Sequence, residues 1–241
     1  MNVLSIDTSG PVIGVALYNR NRCVSWEHRI TRNADVFLAE RTKALLARER
    51  SWFEQPDVIM VSIGPGAFTS LRVGVAFALG LAFSYQVPVL PVCSLEVRSM
   101  LVSSPRTLVL MDAKKKRFYA QCFDCTGEQP LALSAAQDIP TASVLDLIDA
   151  TFLQSVDQGH ENPRFVAVGE GAIKLRTELN QAGGVVLLDG CRAPALVACR
   201  LALLRQESLQ DPGLIRLNYI RPPDAVPPKN LGIPLGLPSQ N

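Results

Sequence analysis

Residues 64–74 read Gly-Pro-Gly-Ala-Phe-Thr-Ser-Leu-Arg-Val-Gly and lie between two apolar runs, Asp57–Ile63 before and Val73–Tyr85 after. That order demands a strand, a tight glycine loop and a helix in immediate succession. Gly64 and Gly66 permit positive φ, while Pro65 fixes its own φ and lacks an N–H. Thr69 sits where an N-cap belongs. Such a loop turns backbone N–H groups toward a helix start, which suits an anion or a closely approaching chain. A plain strand-to-helix turn gives the same pattern. The spacing is neither Gly-x-Gly-x-x-Gly nor the Walker loop, so neither nucleotide mechanism is implied.

The helix after the loop is nearly uncharged, with Arg72 alone between Leu71 and Tyr85. Ser70, Gly74, Ala78 and Ala82 recur every four residues and form one stripe of small side chains. Leu71, Val75, Leu79 and Phe83 recur in the same way, with Val73, Phe77 and Leu81 between them. A helix apolar on nearly all sides is either buried all round or meets a partner. The expectation drawn here is a partner surface of Ser70, Leu71, Arg72, Gly74, Phe77, Ala78 and Ala82. A preceding helix over 34–50 adds Leu38.

At 241 residues the chain holds one large domain or two small lobes. Its 48% hydrophobic and 19% charged residues are those of a well-cored globular protein. A net charge of +2 makes the whole chain no magnet for nucleic acid. No uninterrupted apolar run of about 18 residues occurs, so no membrane span is expected. The start, Met1 to Asp7, reads as a strand and not a signal peptide. Six scattered cysteines fit reduced thiols and a cytoplasmic location. Cys122-Phe123-Asp124-Cys125 has no second pair to complete a zinc site and reads as strand beside a turn.

Strands are expected at 3–8, 12–18, 22–30, 57–63 and 87–92, with a short helix from Ser94. After Pro105 come strands at 107–111 and 118–123, a helix ending near 153, a strand at 164–168, a helix at 172–181, a strand at 185–188 and a helix at 193–207. Two related α/β lobes follow, at 1–103 and 104–221, with an extended proline-rich tail over 222–241.

Three loops stand where a cleft between such lobes would open. Asp7, Thr8 and Ser9 end the first strand, Asp112 ends its counterpart, and Gly169-Glu170-Gly171 opens a helix. A carboxylate with hydroxyls can hold a metal–phosphate group, and the same residues are turn formers. Lys114-Lys115-Lys116-Arg117 is a dense basic run, either a solvated hairpin tip or a contact for RNA phosphates. His28 and His160 are the only histidines and lie far apart in sequence, so no His-x-x-x-His metal site is present.

The segments Asp7-Thr8-Ser9, Gly64 to Gly74, Pro88-Val89 with Ser94-Leu95-Glu96, Asp112-Ala113-Lys114 with Phe118-Tyr119, Gly169-Glu170-Gly171-Ala172 and Asn218-Tyr219-Ile220-Arg221 closely resemble the bacterial TsaB family, also called YeaZ. The match runs from about residue 2 to 221. It implies a degenerate, two-lobed actin-like ATPase (sugar kinase and heat-shock ATPase) fold. It also implies a role in forming threonylcarbamoyladenosine next to the anticodon of tRNAs that read A-starting codons. In that resemblance the chain is a non-catalytic subunit of the metal-bearing relative TsaD, joined by the ATPase TsaE, with TsaC supplying threonylcarbamoyl-adenylate. The resemblance leaves open whether the chain alone is a monomer or a homodimer, and implies tRNA contact only through the complex. The resemblance leaves open two places for ATP or ADP with Mg²⁺: the cleft at Asp7, Thr8, Ser9, Asp112, Gly169 and Gly171, or the partner interface alone. The chain departs from the usual pattern with Ser70 in place of glycine, Ala34-Asp35 in place of His-Ser, and Lys116-Arg117 in place of Gly-Glu. The rival reading is a stand-alone ATPase or small-molecule kinase using Asp7 and Asp112 around Mg²⁺-ATP.

Overall fold

Alternation places Leu4 and Ile6 of strand β1 (Val3–Asp7) on one side and Val3 and Ser5 on the other. All five residues are buried, as in a strand covered on both faces. The computed structural model describes residues 1–19, 22–29, 34–152, 165–187 and 194–221. The predicted tail over 222–241 lies outside the described residues, as do His160 and Cys191.

To β1 are added β2 (Val12–Asn19), β3 (Arg22–Arg29), β4 (Val58–Gly64) and β5 (Val89–Cys93), in the order β3-β2-β1-β4-β5. β1, β2 and β3 are joined antiparallel, whereas β4 and β5 run parallel to β1. The second sheet contains β6 (Thr107–Asp112), β7 (Arg117–Asp124), β8 (Leu131–Ala132), β9 (Gln137–Pro140), β10 (Phe165–Val168) and β11 (Gly184–Val186). Its order is β11-β10-β6-β7-β8, with β9 also on β7. Here β6 and β7 form the antiparallel hairpin, and β10 and β11 lie parallel on the other side of β6. The same path is therefore followed twice: a middle strand, antiparallel neighbours on one side, parallel strands on the other. This is the two-lobed α/β, actin-like architecture.

Helices α1 (Ala34–Arg48) and α2 (Phe68–Tyr85) cover one face of the first sheet. There Leu38, Leu45, Val75, Ala78 and Ala82 meet Leu4, Ile6, Val15, Ile59 and Val61. The second sheet buries Leu108, Leu110, Phe118 and Ala120 beneath α4 (Val144–Phe152), α5 (Glu170–Lys174) and α6 (Arg176–Gln181). Helix α3 (Ser94–Ser99) lies between the sheets: Val97 joins the core of the first, and Leu95 joins Val109, Met111 and Val168 of the second.

Several expectations need correction. Helix α7 (Pro194–Leu204), assigned by order to the second lobe, covers the open face of the first sheet. Its small residues Ala195, Ala198, Cys199 and Ala202 seat closely on Val3, Ala16, Met60 and Val92. The chain after it stays there, through the Gln210–Val89 bridge and Ile215 in the first core. Ala67, not Thr69, is the N-cap of α2. The helix predicted over 172–181 is two helices broken at Leu175, whose φ of −104° and ψ of 21° leave the helical region. β8 and β9 are too short to show periodicity and were not foreseen.

Candidate functional site

The glycine loop is held on both sides by this chain's own backbone. Gly64 has φ 117°, and a side chain there would meet the Asn218 carbonyl oxygen at 2.5 Å. Gly66 is not in the positive-φ region; a Cβ on it would lie 2.3 Å from the Ser9 carbonyl oxygen. The Asn218 N–H donates to Ile63 O at 2.8 Å, and Ala67 N–H to Ser9 O at 3.2 Å. Tyr219 then stacks on Phe68 with centroids 5.1 Å apart, and Arg72 lies 3.7 Å above the Phe68 ring. Of the two uses foreseen for the loop, close approach of another backbone is the one realised.

Helix α2 carries its small stripe inward. Leu71, Gly74, Val75, Ala78 and Ala82 are buried, as is Leu38 of α1. A Cβ on Gly74 would lie 2.0 Å from Thr8 Oγ1 and 2.9 Å from Thr8 Cβ. The Thr8 hydroxyl donates to the Ser70 carbonyl at 2.8 Å. Thus Leu38, Leu71, Gly74, Ala78 and Ala82, expected at a partner surface, are core of this chain, and Ser70 is half-buried. Arg72 is exposed and Phe77 is half-buried.

The opposite face of α2 is the open one. Arg72, Ala76, Gly80, Phe83 and Ser84 are exposed, and Phe83 keeps 61% of its surface in water. Beyond the adjoining backbone of α2 itself, no atom of the described residues lies within 4 Å of where a Gly80 Cβ would be. At 18 residues α2 is long and apolar enough to cross a membrane, yet one side is sealed on the sheet. Ala76, Gly80 and Ser84 form a second four-residue stripe that sequence reasoning passed over, and it leaves a smooth apolar surface beside Phe83.

A cleft of about 470 Å³ opens between the lobes, lined by residues that include Ser9, Arg29, Ser70, Asp112, Lys114 and Lys174. Asp112 accepts from Lys174 Nζ at 2.6 Å and Lys114 Nζ at 2.9 Å. Burial opposes its ionisation, but these lysine contacts win and hold its carboxyl below the usual range. Lys114, Lys115 and Lys116 all adopt left-handed φ, of 61°, 52° and 56°, at the tip of the β6–β7 hairpin.

Asp7 and Thr8 do not line this cleft. Asp7 is fully buried; its Oδ1 accepts from Ser9 N and Ser9 Oγ, each at 2.8 Å, and its Oδ2 from Ser62 Oγ at 2.6 Å. Gly169 (φ 99°) and Gly171 are spent on contact with β6, since a Cβ on either would lie within 3 Å of the Leu110 backbone. The Mg²⁺–nucleotide group that the actin-like fold implies therefore does not fit at Asp7, because a hard cation needs open carboxylate oxygens. Of the six expected residues, only Ser9 and Asp112 are brought to the cleft.

Sequence reading missed Arg98. It is 3% exposed and donates through Nη1 to Ser9 Oγ at 2.9 Å and to Ser94 O at 3.1 Å. Its Nε lies 3.8 Å from Glu170 Oε2. The available signal was a lone arginine in a short helix between two apolar strands. Cys122 and Cys125 are both buried; burial pushes the Cys122 thiol up to about 11 and raises that of Cys125.

The family model described as TsaD: tRNA N6-adenosine threonylcarbamoyltransferase matches residues 31–177. An uncharacterized protein of Mycobacterium tuberculosis is 30% identical over 154 residues, which are 61% of this chain and 72% of that protein. The tRNA threonylcarbamoyladenosine biosynthesis protein TsaB of Haemophilus influenzae is 28% identical over 123 residues, 49% of this chain and 52% of that protein. The Bacillus subtilis protein of that name is 32% identical over 97 residues, 40% of this chain and 42% of the other. Among solved structures, YeaZ from Pseudomonas aeruginosa superposes with TM-score 0.72 and 21% identity, covering 90% of this chain and 99% of that one.

Proposed function

Because the chain belongs to the TsaB/YeaZ family, and matches a family model that carries the TsaD description, we propose that it takes part in threonylcarbamoyladenosine formation on tRNA as the docking subunit of a TsaD-type transferase. The observation that carries this reading is the open face of α2. Ala76 and Gly80 offer a smooth helix surface on which a second helix can lie closely, and Phe83 is an aromatic anchor beside it. Such a face left in water is a cost that covering by a partner removes. Transfer chemistry is assigned to the partner. In the same proposal TsaE joins the pair, and the α2 face mediates self-association when TsaD is absent. Activation then requires that α2 contact the active state of the partner more strongly than its resting state.

The test is association of the purified chain with the TsaD-type protein of the same organism, measured by calorimetry. Phe83→Asp and Ala76→Arg each place a charge on the open face. Each is expected to weaken association at least about 30-fold, which is roughly 2 kcal/mol and the size of an interface hot spot. Their melting temperatures are expected to stay near wild type. Undiminished binding by both variants, or no complex with wild type, would sink the proposal.

A further inference from the structure

We infer that the Arg98 guanidinium occupies the place of a divalent cation between the lobes and latches the two sheets together without Mg²⁺ or nucleotide. The inference does not rest on the partner reading; it concerns only what this chain's own acids hold.

Asp7 ends β1 in the first sheet, and Glu170 opens α5 after β10 in the second. A hard cation between two such carboxylates would draw oxygens from both lobes. Instead Arg98 enters from α3, which lies between the sheets, and is almost wholly buried. Nη1 donates to Ser9 Oγ and to Ser94 O and stands 3.9 Å from Asp7 Oδ2, while Nε stands 3.8 Å from Glu170 Oε2. The planar fork reaches acceptors on both lobes at once, which a lysine ammonium on a flexible stem cannot do. Glu170 in turn accepts from the Asp112 N–H at 3.4 Å, so the latch ends on the first strand of the second sheet.

Two further observations fit a cation that is built in. Any side chain at residue 10 would put its Cβ 2.3 Å from Arg98 Nη2, so Gly10 provides the room that the guanidinium fills. A carboxylate has about four lone-pair sites. On Asp7 three of these accept hydrogen bonds from Ser9 and Ser62, and Oδ2 also faces Arg98. The remaining site, on Oδ2, is the one the guanidinium faces, so a metal ion could reach Asp7 only by displacing Arg98.

The probe is Mn²⁺ alone, titrated into full-length wild type, Arg98→Met and Glu170→Gln, with free Mn²⁺ read by electron paramagnetic resonance and melting followed alongside. Wild type is expected to take up no Mn²⁺ at millimolar concentration. Arg98→Met keeps side-chain length but leaves the two carboxylates without their cation; it is expected to melt lower, to bind Mn²⁺, and to regain roughly 2–4 °C at about five times its Kd. Glu170→Gln is expected to melt lower and bind none, because Arg98 still blocks Asp7. Mn²⁺ uptake by wild type that disappears in Asp7→Asn overturns the inference, as does a folded Arg98→Met that binds none. Should Arg98→Met not fold, Arg98→Lys is read in its place: it keeps a charge at the site, so absence of uptake supports the inference and uptake overturns it.

Discussion

The two glycines of α2 face opposite ways, and substituting each with alanine tests which side of the helix belongs to this chain. At Gly74 the new methyl would sit 2.0 Å from Thr8 Oγ1, 2.8 Å from its Cγ2 and 2.9 Å from its Cβ. Rotating the threonine does not relieve the contact, because the Cβ itself is in the way. The backbone must shift, and overpacking of this kind costs about 1–3 kcal/mol. Loss of the Thr8–Ser70 hydrogen bond adds about 1 kcal/mol, and the better helix propensity of alanine returns about 1 kcal/mol. Gly74→Ala is thus destabilised by about 1–3 kcal/mol, a fall in melting temperature of roughly 2–12 °C for a chain of this size. Beyond the adjoining backbone of α2 itself, Gly80 has no neighbour among the described residues within 4 Å, so only the propensity gain remains, and Gly80→Ala is expected to melt roughly 2–4 °C higher. Calorimetric melting of the three proteins decides the matter. A Gly74→Ala variant as stable as wild type, or equal shifts of one sign in both, refutes the orientation assigned to α2 and with it the proposed partner surface.

Asp112 has a folded value below its unfolded one, near 3.9, so the stability its lysine contacts contribute is present above that pH and lost as pH falls through the folded value. In urea melts across pH 3–6, the advantage of wild type over Asp112→Asn is expected to shrink toward acid; an advantage that grows there contradicts the assignment. Burial pushes the Cys199 thiol up to about 12 and that of Cys122 to about 11, whereas Cys23 is exposed. Iodoacetamide at pH 8 should alkylate Cys23 in the native protein and reach Cys122 and Cys199 only after unfolding, as peptide mass spectrometry would show. Native labelling of Cys199 as fast as Cys23 would be incompatible with the packing of α7.

Much of the first sheet was legible because its strands obey local rules. Apolar runs bounded by Ser9-Gly10-Pro11 and Gly64-Pro65-Gly66 gave β1, β2, β4 and α2 to within a few residues. Asp112 was recognised as the second-lobe counterpart of Asp7, and the doubled strand order bears out that symmetry. The site itself was less legible. Gly169 and Gly171 read as loop glycines beside a ligand, but they serve the approach of α5 to Leu110. Arg98 gave no motif at all, since its meaning depends on acceptors 89 and 72 residues away at Ser9 and Glu170.

By itself the sequence settled that α2 is a long, nearly uncharged helix entered through a tight glycine loop, and that small residues line it at every fourth position. It held two such stripes, Gly74-Ala78-Ala82 and Ala76-Gly80-Ser84, on opposite sides, and helical periodicity treats them alike. Only the tertiary structure chose between them. Gly66 against Ser9, and Gly74 against Thr8, fix how the helix is rotated over the first sheet. These contacts join residues more than fifty positions apart, and no local pattern encodes which side of a uniformly apolar helix they will claim.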